Sequence, residues 1–467
     1  MSFSSEPYKT GGCVPRSERP RKDRLALVAV ILLGMLIRAA VPILAFSFSH
    51  DKGIFHSLDT ISYIEPARSM LETGNFATHN KPETIRTPGY PLFLVPGLAF
   101  HSVEFLAIAL QIIASGFTIY FVYALTLILS GEIRAALLAA LLFACEPSSI
   151  IWTSIVQTET LFAALLMGGV LYCVRYMGAP RWPDVIACCA LFTASIYVRP
   201  AAYFLPIVLA FLWLGKGIVG RTVDRALLGQ TLVFLTVCYA LVGIWQVRNG
   251  LVSGYWGFST VSENNLYFFA ATTVMAQLNN KPYEEQRRLM IEDRPQTGSG
   301  YEGKTRISEK ELRGYRSARA IEIILGHPVL YAKVVCLSTL WTVVGPGIGP
   351  WLEVFRLVPG DRMHRATEDD KFYYLRTAQW SRWGSVFLGL LLGVYWLAAF
   401  IGGMKAFHDK KWELFLLLLV VAYFVLSPAL LCIGYSRFRH PIMPILSVLA
   451  GYGLWLVCQR QGTKIGR

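Results

Sequence analysis

The sequence predicts an all-α, polytopic membrane protein with about ten or eleven transmembrane helices and elaborated loops. Three observations carry this. Hydrophobic residues make up 54% of the 467-residue chain and charged residues only 16%, against roughly one quarter charged in ordinary soluble domains. Apolar runs long enough to cross a bilayer recur almost end to end. Short basic segments alternate with those runs as the positive-inside rule requires, so the net charge of +14 reflects membrane topology and not nucleic-acid binding.

Residues 1–24 form a polar tail with Arg16, Arg19, Arg21, Lys22 and Arg24, expected on the cytoplasmic side. The run 25–46 is the first span, too long in its apolar core for a cleaved signal. Arg38 interrupts it and is expensive in lipid, so it is expected to face the bundle interior. A polar first outer loop follows over 47–102. Spans then read at 105–129, 135–151, 159–175, 185–198, 201–214 and 227–245, with Pro147 and neighbouring serines marking an outer turn and Glu159 opening the next helix. The two runs flanking Arg199-Pro200 are short, as for helices packed inside a bundle.

This membrane module, 25–245, gives way to the largest outer segment, 246–382, which mixes charges of both signs and includes a flexible TGSGYEGK at 297–304. Within it, the apolar stretch 328–346 is expected to be re-entrant or interfacial, because one unpaired crossing would break the order of sides. GPGIGP at 345–350 reads as a turn. The segment 383–467 supplies the last spans, with Lys405, Lys410 and Lys411 inside, YSRFRHP (435–441) outside and a short basic tail. Both termini are expected in the cytoplasm.

Eight of the nine cysteines lie in or beside apolar runs and Cys13 lies in the tail, so neither a disulfide framework nor a thiolate metal site is indicated. There is no Walker A, no GxGxxG after a strand, no HExxH and no GxSxG. A nucleotide-driven pump or an intramembrane metalloprotease is therefore unsupported, and no nucleotide cofactor is expected.

Candidate chemistry begins at Asp59 and Tyr63, which share one face if 59–71 is helical. Ionisable residues at the expected outer helix ends are Asp59, Glu83, Arg86, Glu159, Arg199, Arg248, His327, Arg437, Arg439 and His440. Carboxylates and arginines from separate loops on one rim suit a site that binds an anionic phosphate and removes a proton from a hydroxyl. The plainer alternatives are that Asp59 and Glu159 only open helices and that the arginines are interfacial anchors.

The order of short motifs resembles the GT-C membrane glycosyltransferases, in particular bacterial proteins similar to protein O-mannosyltransferases and to the transferases that put aminoarabinose on lipid A. The matching pieces are Arg38 in the first span, Asp59 with Tyr63, RTPGYPLF (86–93), EPSS and TETLF (146–162), VRP (198–200), WQVRNG (245–250), GHP (326–328) and YSRFRHPIMPIL (435–446). The resemblance implies inverting transfer of a sugar from a polyprenyl-phosphate carrier to lipid A, another glycan or protein at the periplasmic face of a bacterial inner membrane. It makes Asp59 the general base, Glu159 a supporting carboxylate, and Arg86, Arg199, Arg437 and Arg439 the holders of the donor phosphate. Tyr63, His440 and Arg248 would line the substrate pocket. A divalent metal used by some relatives would fall to Glu83 and His327. Thr60 follows Asp59 where eukaryotic-type enzymes carry a second acid, which departs from a protein acceptor. Rival readings are a lipid or solute transporter, which would place ionisable groups near the midplane, and an O-antigen-type ligase or polymerase.

Overall fold

In hydrocarbon the backbone has no partner but itself, and this chain accordingly folds as helices nearly throughout. The computed structural model describes residues 19–293, 309–357, 379–409, 411–431 and 434–465. Most of the basic N-terminal tail, with Cys13, and the TGSGYEGK stretch, Lys410 and Cys432 lie outside them.

The elements are α1 (Arg19–Ser49), a 3-10 turn (Lys52–Phe55), α2 (Thr60–Thr73), a two-residue antiparallel ladder of β1 (Ala77–Thr78) with β2 (Lys81–Pro82), α3 (Gly89–Ala99), α4 (Val103–Ser130), α5 (Ile133–Ala144) and α6 (Pro147–Thr153). Then come α7 (Glu159–Gly178), α8 (Trp182–Val198), α9 (Leu205–Val219) and α10 (Arg225–Ser253). A lobe of α11 (Val261–Asn265), a π turn (Leu266–Ala271), α12 (Thr272–Leu278), α13 (Tyr283–Glu292) and α14 (Glu309–Gly326) closes over its own small core of Tyr267, Ala271, Met290, Ala320 and Ile323. The chain ends with α15 (Pro328–Val344), α16 (Gly349–Val354), α17 (Gln379–His408), α18 (Trp412–Leu431), a 3-10 turn (Ser436–Ile442) and α19 (Met443–Ile465).

Among the described residues, eight helices are long and apolar enough to cross a membrane, and ten spans result if each of two bent pairs counts as one. The all-α polytopic class is thus the observed one. The spans around α7 and α19 are 72% buried against 17% for α1, so α7 and α19 form the centre and α1 the periphery.

The run expected as one span over 135–151 is broken, with α5 and α6 bent by 53°. A break inside a membrane bundle frees carbonyls on one side and amides on the other. Arg38, fully buried in α1, donates to Ala144 O at 2.6 Å and Phe143 O at 3.0 Å, the last carbonyls of α5. Glu146 accepts from the amides of Ser148 at 2.9 Å and Ser149 at 2.6 Å, the first of α6. A cation therefore meets the negative end of one helix and an anion the positive end of the next. The second bent pair, α14 and α15, turns by 99° at His327. At the other end of the bundle Lys216 and Lys411 donate to Met177 O and Leu129 O, the closing carbonyls of α7 and α4.

Helices α17 and α19 approach backbone to backbone. A Cβ on Gly453 would lie 2.0 Å from Ala398 O, and one on Gly402 2.1 Å from Leu449 O. Such contacts let dispersion act where no hydrophobic drive between spans exists. Gly453→Val is therefore expected to lower the stability of the detergent-solubilised protein by about 2 kcal/mol or more, whereas Gly403→Val, where an added Cβ meets nothing within 4 Å, leaves it unchanged. Thermal melts of both variants check this; equal midpoints would mean the helices can part without cost.

Candidate active site

The loop before α2 brings Asp59 to the end of the bundle where α6, α7 and the 436–442 turn meet. Asp59 stands at the N-cap of α2, yet its side chain makes no capping hydrogen bond. Its oxygens are turned elsewhere: Oδ1 accepts from Arg86 Nη2 at 2.7 Å and Oδ2 from Arg437 Nη1 at 2.9 Å. Arg86 also donates to Ser62 Oγ at 2.9 Å and Tyr63 Oη at 3.1 Å, with its guanidinium 4.5 Å from the Tyr63 ring centroid. The four-residue spacing of Asp59 and Tyr63 thus places both on one arginine.

Glu159, the first residue of α7, is 1% exposed, and its Oε1 accepts from Arg199 Nη1 at 3.0 Å. Arg437 Nε lies 3.8 Å from the same oxygen, so Arg437 spans the two carboxylates. Three guanidinium groups face two carboxylates here. The excess of positive charge suits an anion, and an incoming phosphate oxygen can take the place of a carboxylate oxygen on an arginine.

Burial alone pushes the Asp59 carboxyl up, but Arg437 and Arg86 outweigh it and hold the group well below the usual carboxylate range. Burial likewise pulls Arg86 down, and its contacts with Tyr63 and Asp59 outweigh that and raise it. At rest, then, Asp59 is ionised and a weak base.

The supports of Arg86 are local. Glu83 accepts from the amides of Ile85 at 2.5 Å and Arg86 at 3.1 Å and from Thr78 Oγ1 at 2.8 Å, closing the turn that presents Arg86. Gly89 opens α3 against the end of α8, where a Cβ would fall 2.6 Å from the Tyr197 carbonyl, and this close approach brings the Arg86 turn beside the strand of chain carrying Arg199. Arg248 donates to Glu83 O at 2.9 Å and Phe76 O at 2.6 Å, so it pins the loop between α2 and α3 and does not reach the carboxylates. Arg439, 2% exposed, donates to Thr342 O at 2.9 Å and Val343 O at 3.1 Å and caps α15. His440 is buried behind Glu159 with both ring nitrogens unpartnered.

The structure keeps the expected metal pair apart in function: the Glu83 oxygens serve the Arg86 turn and His327 is exposed at the α14–α15 bend. Among the described residues no three His, Cys, Asp or Glu side chains come together to hold a metal ion.

Sequence reasoning missed Gln157, Ser57 and Ser62. Gln157, 1% exposed, donates to Ser57 Oγ at 2.6 Å and lies 3.4 Å from Asp59 Oδ2. A neutral amide two residues before Glu159 carries no charge to flag it. Its one signal is its place in the polar run between α6 and α7.

The described residues form an all-α, multi-pass membrane bundle with a cluster of carboxylates and arginines at one end. Residues 86–245 match the family model described as dolichyl-phosphate-mannose-protein mannosyltransferase, a stretch that holds Arg86, Glu159 and Arg199. No curated protein sequence matches the chain. Among solved structures it is similar to the archaeal oligosaccharyltransferase AglB from Archaeoglobus fulgidus in complex with an inhibitory peptide and a dolichol-phosphate, with a TM-score of 0.51 and 13% identity over 94% of this chain and 51% of that one. The Archaeoglobus fulgidus oligosaccharyltransferase complexed with Zn and sulfate gives 0.51 and 13% over 93% and 50%. ArnT from Cupriavidus metallidurans bound to undecaprenyl phosphate gives 0.40 and 13% over 91% and 77%. The chain thus spans about half the length of the oligosaccharyltransferase it resembles. The resemblance to GT-C membrane glycosyltransferases drawn from the sequence motifs is borne out by the family match and the shared fold.

A carboxylate whose pKa is depressed on folding stabilises the protein above its unfolded value, here 3.8, and that contribution is lost as pH falls through the folded value. Asp59→Asn is accordingly expected to melt below wild type from about pH 8 down to about pH 5, with the gap closing below about pH 4. Melting curves across that range check it; a gap that widened on acidification would contradict the pairing.

Proposed function

We propose that this chain is an integral-membrane glycosyltransferase that moves a sugar from a polyprenyl-phosphate carrier to an acceptor hydroxyl at the outer face of the membrane. The observation that carries the reading is Asp59 held between Arg86 and Arg437, with Glu159 and Arg199 alongside. The family match over 86–245 and the fold shared with an oligosaccharyltransferase support it.

In this reading the carboxylates stand in for phosphate at rest. The carrier phosphate draws Arg86 and Arg437 toward itself, which frees Asp59 and raises its basicity. Asp59 takes the proton of the acceptor hydroxyl, the acceptor oxygen bonds to the anomeric carbon from the opposite side, and the carbon–oxygen bond to phosphate breaks with its electron pair on the phosphate. The arginines stabilise that charge as it forms. Arg199 holds Glu159, and Glu159 keeps Arg437 aimed. Arg439 acts at one remove, through the end of α15. The stretch 328–346 is read as re-entrant: α15 runs down from the outer lobe, ends against Arg439 and Trp396, and α16 returns to the Lys52–Phe55 turn. The lysines at the opposite bundle end support an inner face there and the reacting centre outside.

Mass spectrometry of lipid A, core and envelope glycans from cells lacking the gene, complemented with wild type or Asp59→Asn, tests the reading. Loss of one sugar, restored by wild type and reduced at least about a hundredfold with Asp59→Asn, is expected. Glycans unchanged by deletion would redirect the reading to transport. In the same background Arg437→Ala is expected to weaken donor use by about tenfold or more, since a charge-assisted phosphate contact is lost.

A further inference from the structure

Between α6 and α7 the chain runs without helix from Ser154 to Thr158, and every residue of this segment is buried. Irregular backbone inside a membrane bundle persists only where its polar groups find partners. Gln111 of α4 supplies two of them, donating to Thr153 O and Ile155 O at 2.9 Å each, while its own oxygen accepts from Tyr90 Oη at 2.7 Å. Val156 N donates to Phe55 O at 2.9 Å, and Val156 O accepts from Thr60 Oγ1 at 2.9 Å. The segment is thereby stitched to the stretch 55–60 that carries Asp59.

Gln157, the next residue, closes a ring of hydrogen bonds. The one proton on Thr60 Oγ1 goes to Val156 O, so this oxygen accepts from Ser57 N at 2.8 Å and from Ser57 Oγ at 3.2 Å. Ser57 Oγ in turn accepts from Gln157 Nε2 at 2.6 Å. The second hydrogen of that amide remains, and Asp59 Oδ2 lies 3.4 Å from the same nitrogen. The amide must sit this way round, since its oxygen would otherwise face a carboxylate that only accepts.

The ring makes the two oxygens of Asp59 unequal. Among the described residues Oδ1 meets Arg86, whereas Oδ2 meets both Arg437 and Gln157. Once the carrier phosphate has taken the two arginines, the amide is what stays on the carboxylate. A neutral donor orients the group while depressing its basicity far less than a guanidinium does.

We propose that Gln157 is a positioning residue for the base: it holds Oδ2 of Asp59 when the arginines turn to the phosphate, so that Oδ1 is presented to the acceptor hydroxyl and receives its proton. This rests on the transferase reading above. The other groups around Asp59 are Arg86 before α3, Arg437 on the 436–442 turn and, beyond Arg437, Glu159 with Arg199 and His440. Tyr63 of α2 sits on Arg86, and His56 is taken up by Glu104 of α4 at 3.1 Å. None of these is altered by a change at Gln157. An amide hydrogen bond favours the ionised carboxyl, so without it Asp59 keeps its proton to higher pH and the acid limb of the pH–rate profile moves up.

The experiment uses the full-length protein in membranes of the deletion strain, which supply donor and acceptor, with product read by mass spectrometry across the pH range. Gln157→Met removes the amide at nearly constant length, and Gln157→His returns an N–H. For Gln157→Met, unchanged melting and unchanged binding of undecaprenyl phosphate by native mass spectrometry are expected. Its transfer rate should fall about tenfold or more, with the acid limb raised by roughly half a pH unit or more. Gln157→His should recover part of the rate and move the limb back. A wild-type rate in Gln157→Met would overturn the proposal, as would a reduced rate with an unmoved acid limb, or loss of folding in both variants. Absence of any product with wild type, or full transfer by Asp59→Asn, would instead refute the transferase reading itself.

Discussion

The bracket of Arg86 and Arg437 around Asp59 is the contact on which the arrangement of this end of the bundle depends. Guanidinium groups at the mouth of an apolar bundle need anionic partners, because an uncompensated buried charge costs several kcal/mol. Asp59 satisfies one from the loop after it and one 378 residues away, and Glu159 completes the chain of charges through Arg437 and Arg199. Buried pairs of this kind contribute little net stability against an apolar core of the same shape. What they supply is position: each arginine is aimed by its carboxylate partner.

The scaffold beneath keeps these groups in place largely through backbone contacts. Glu83 shapes the turn of Arg86, Arg248 ties that turn to Phe76, Arg439 fastens the end of α15, and Glu146 starts α6 so that Gln157 and Glu159 follow in register. Charged residues on the rim thus fall into two kinds. One kind meets other charges across this end of the bundle. The other is spent on main-chain amides and carbonyls and defines the walls.

Most of the fold is legible in hydropathy, because a bilayer demands long apolar helices and basic connecting loops. The break between α5 and α6 shows there only as a turn at Pro147 ending a single span, because the group that meets the freed carbonyls of Phe143 and Ala144 is Arg38 of α1, a tertiary contact. For the site, charge and helix ends single out Asp59, Arg86, Glu159, Arg199 and Arg437, and the spacing of Asp59 and Tyr63 foreshadows their shared arginine. Which rim arginine meets which carboxylate depends on tertiary distance, so Arg248 and Arg439 look equivalent to Arg86 and Arg437 in sequence and are not so in space. Gln157 stays hidden because it is neutral.

The clasp of Arg38 on the end of α5 also bears on how the chain enters its bilayer. A lone arginine near the middle of a span carries an insertion penalty of about 3 kcal/mol, and a helix that stops short leaves bare carbonyls in oil. Each of these two groups lacks a partner while its helix stands alone, even though the apolar residues around Arg38 outweigh its penalty for the span as a whole. Together they are complementary, and α4 lies between them in the chain. Arg38 therefore reaches its carbonyls only after α5 is in place. The order in which the helices are made thus sets when the charge in α1 is satisfied, by the fourth helix after it.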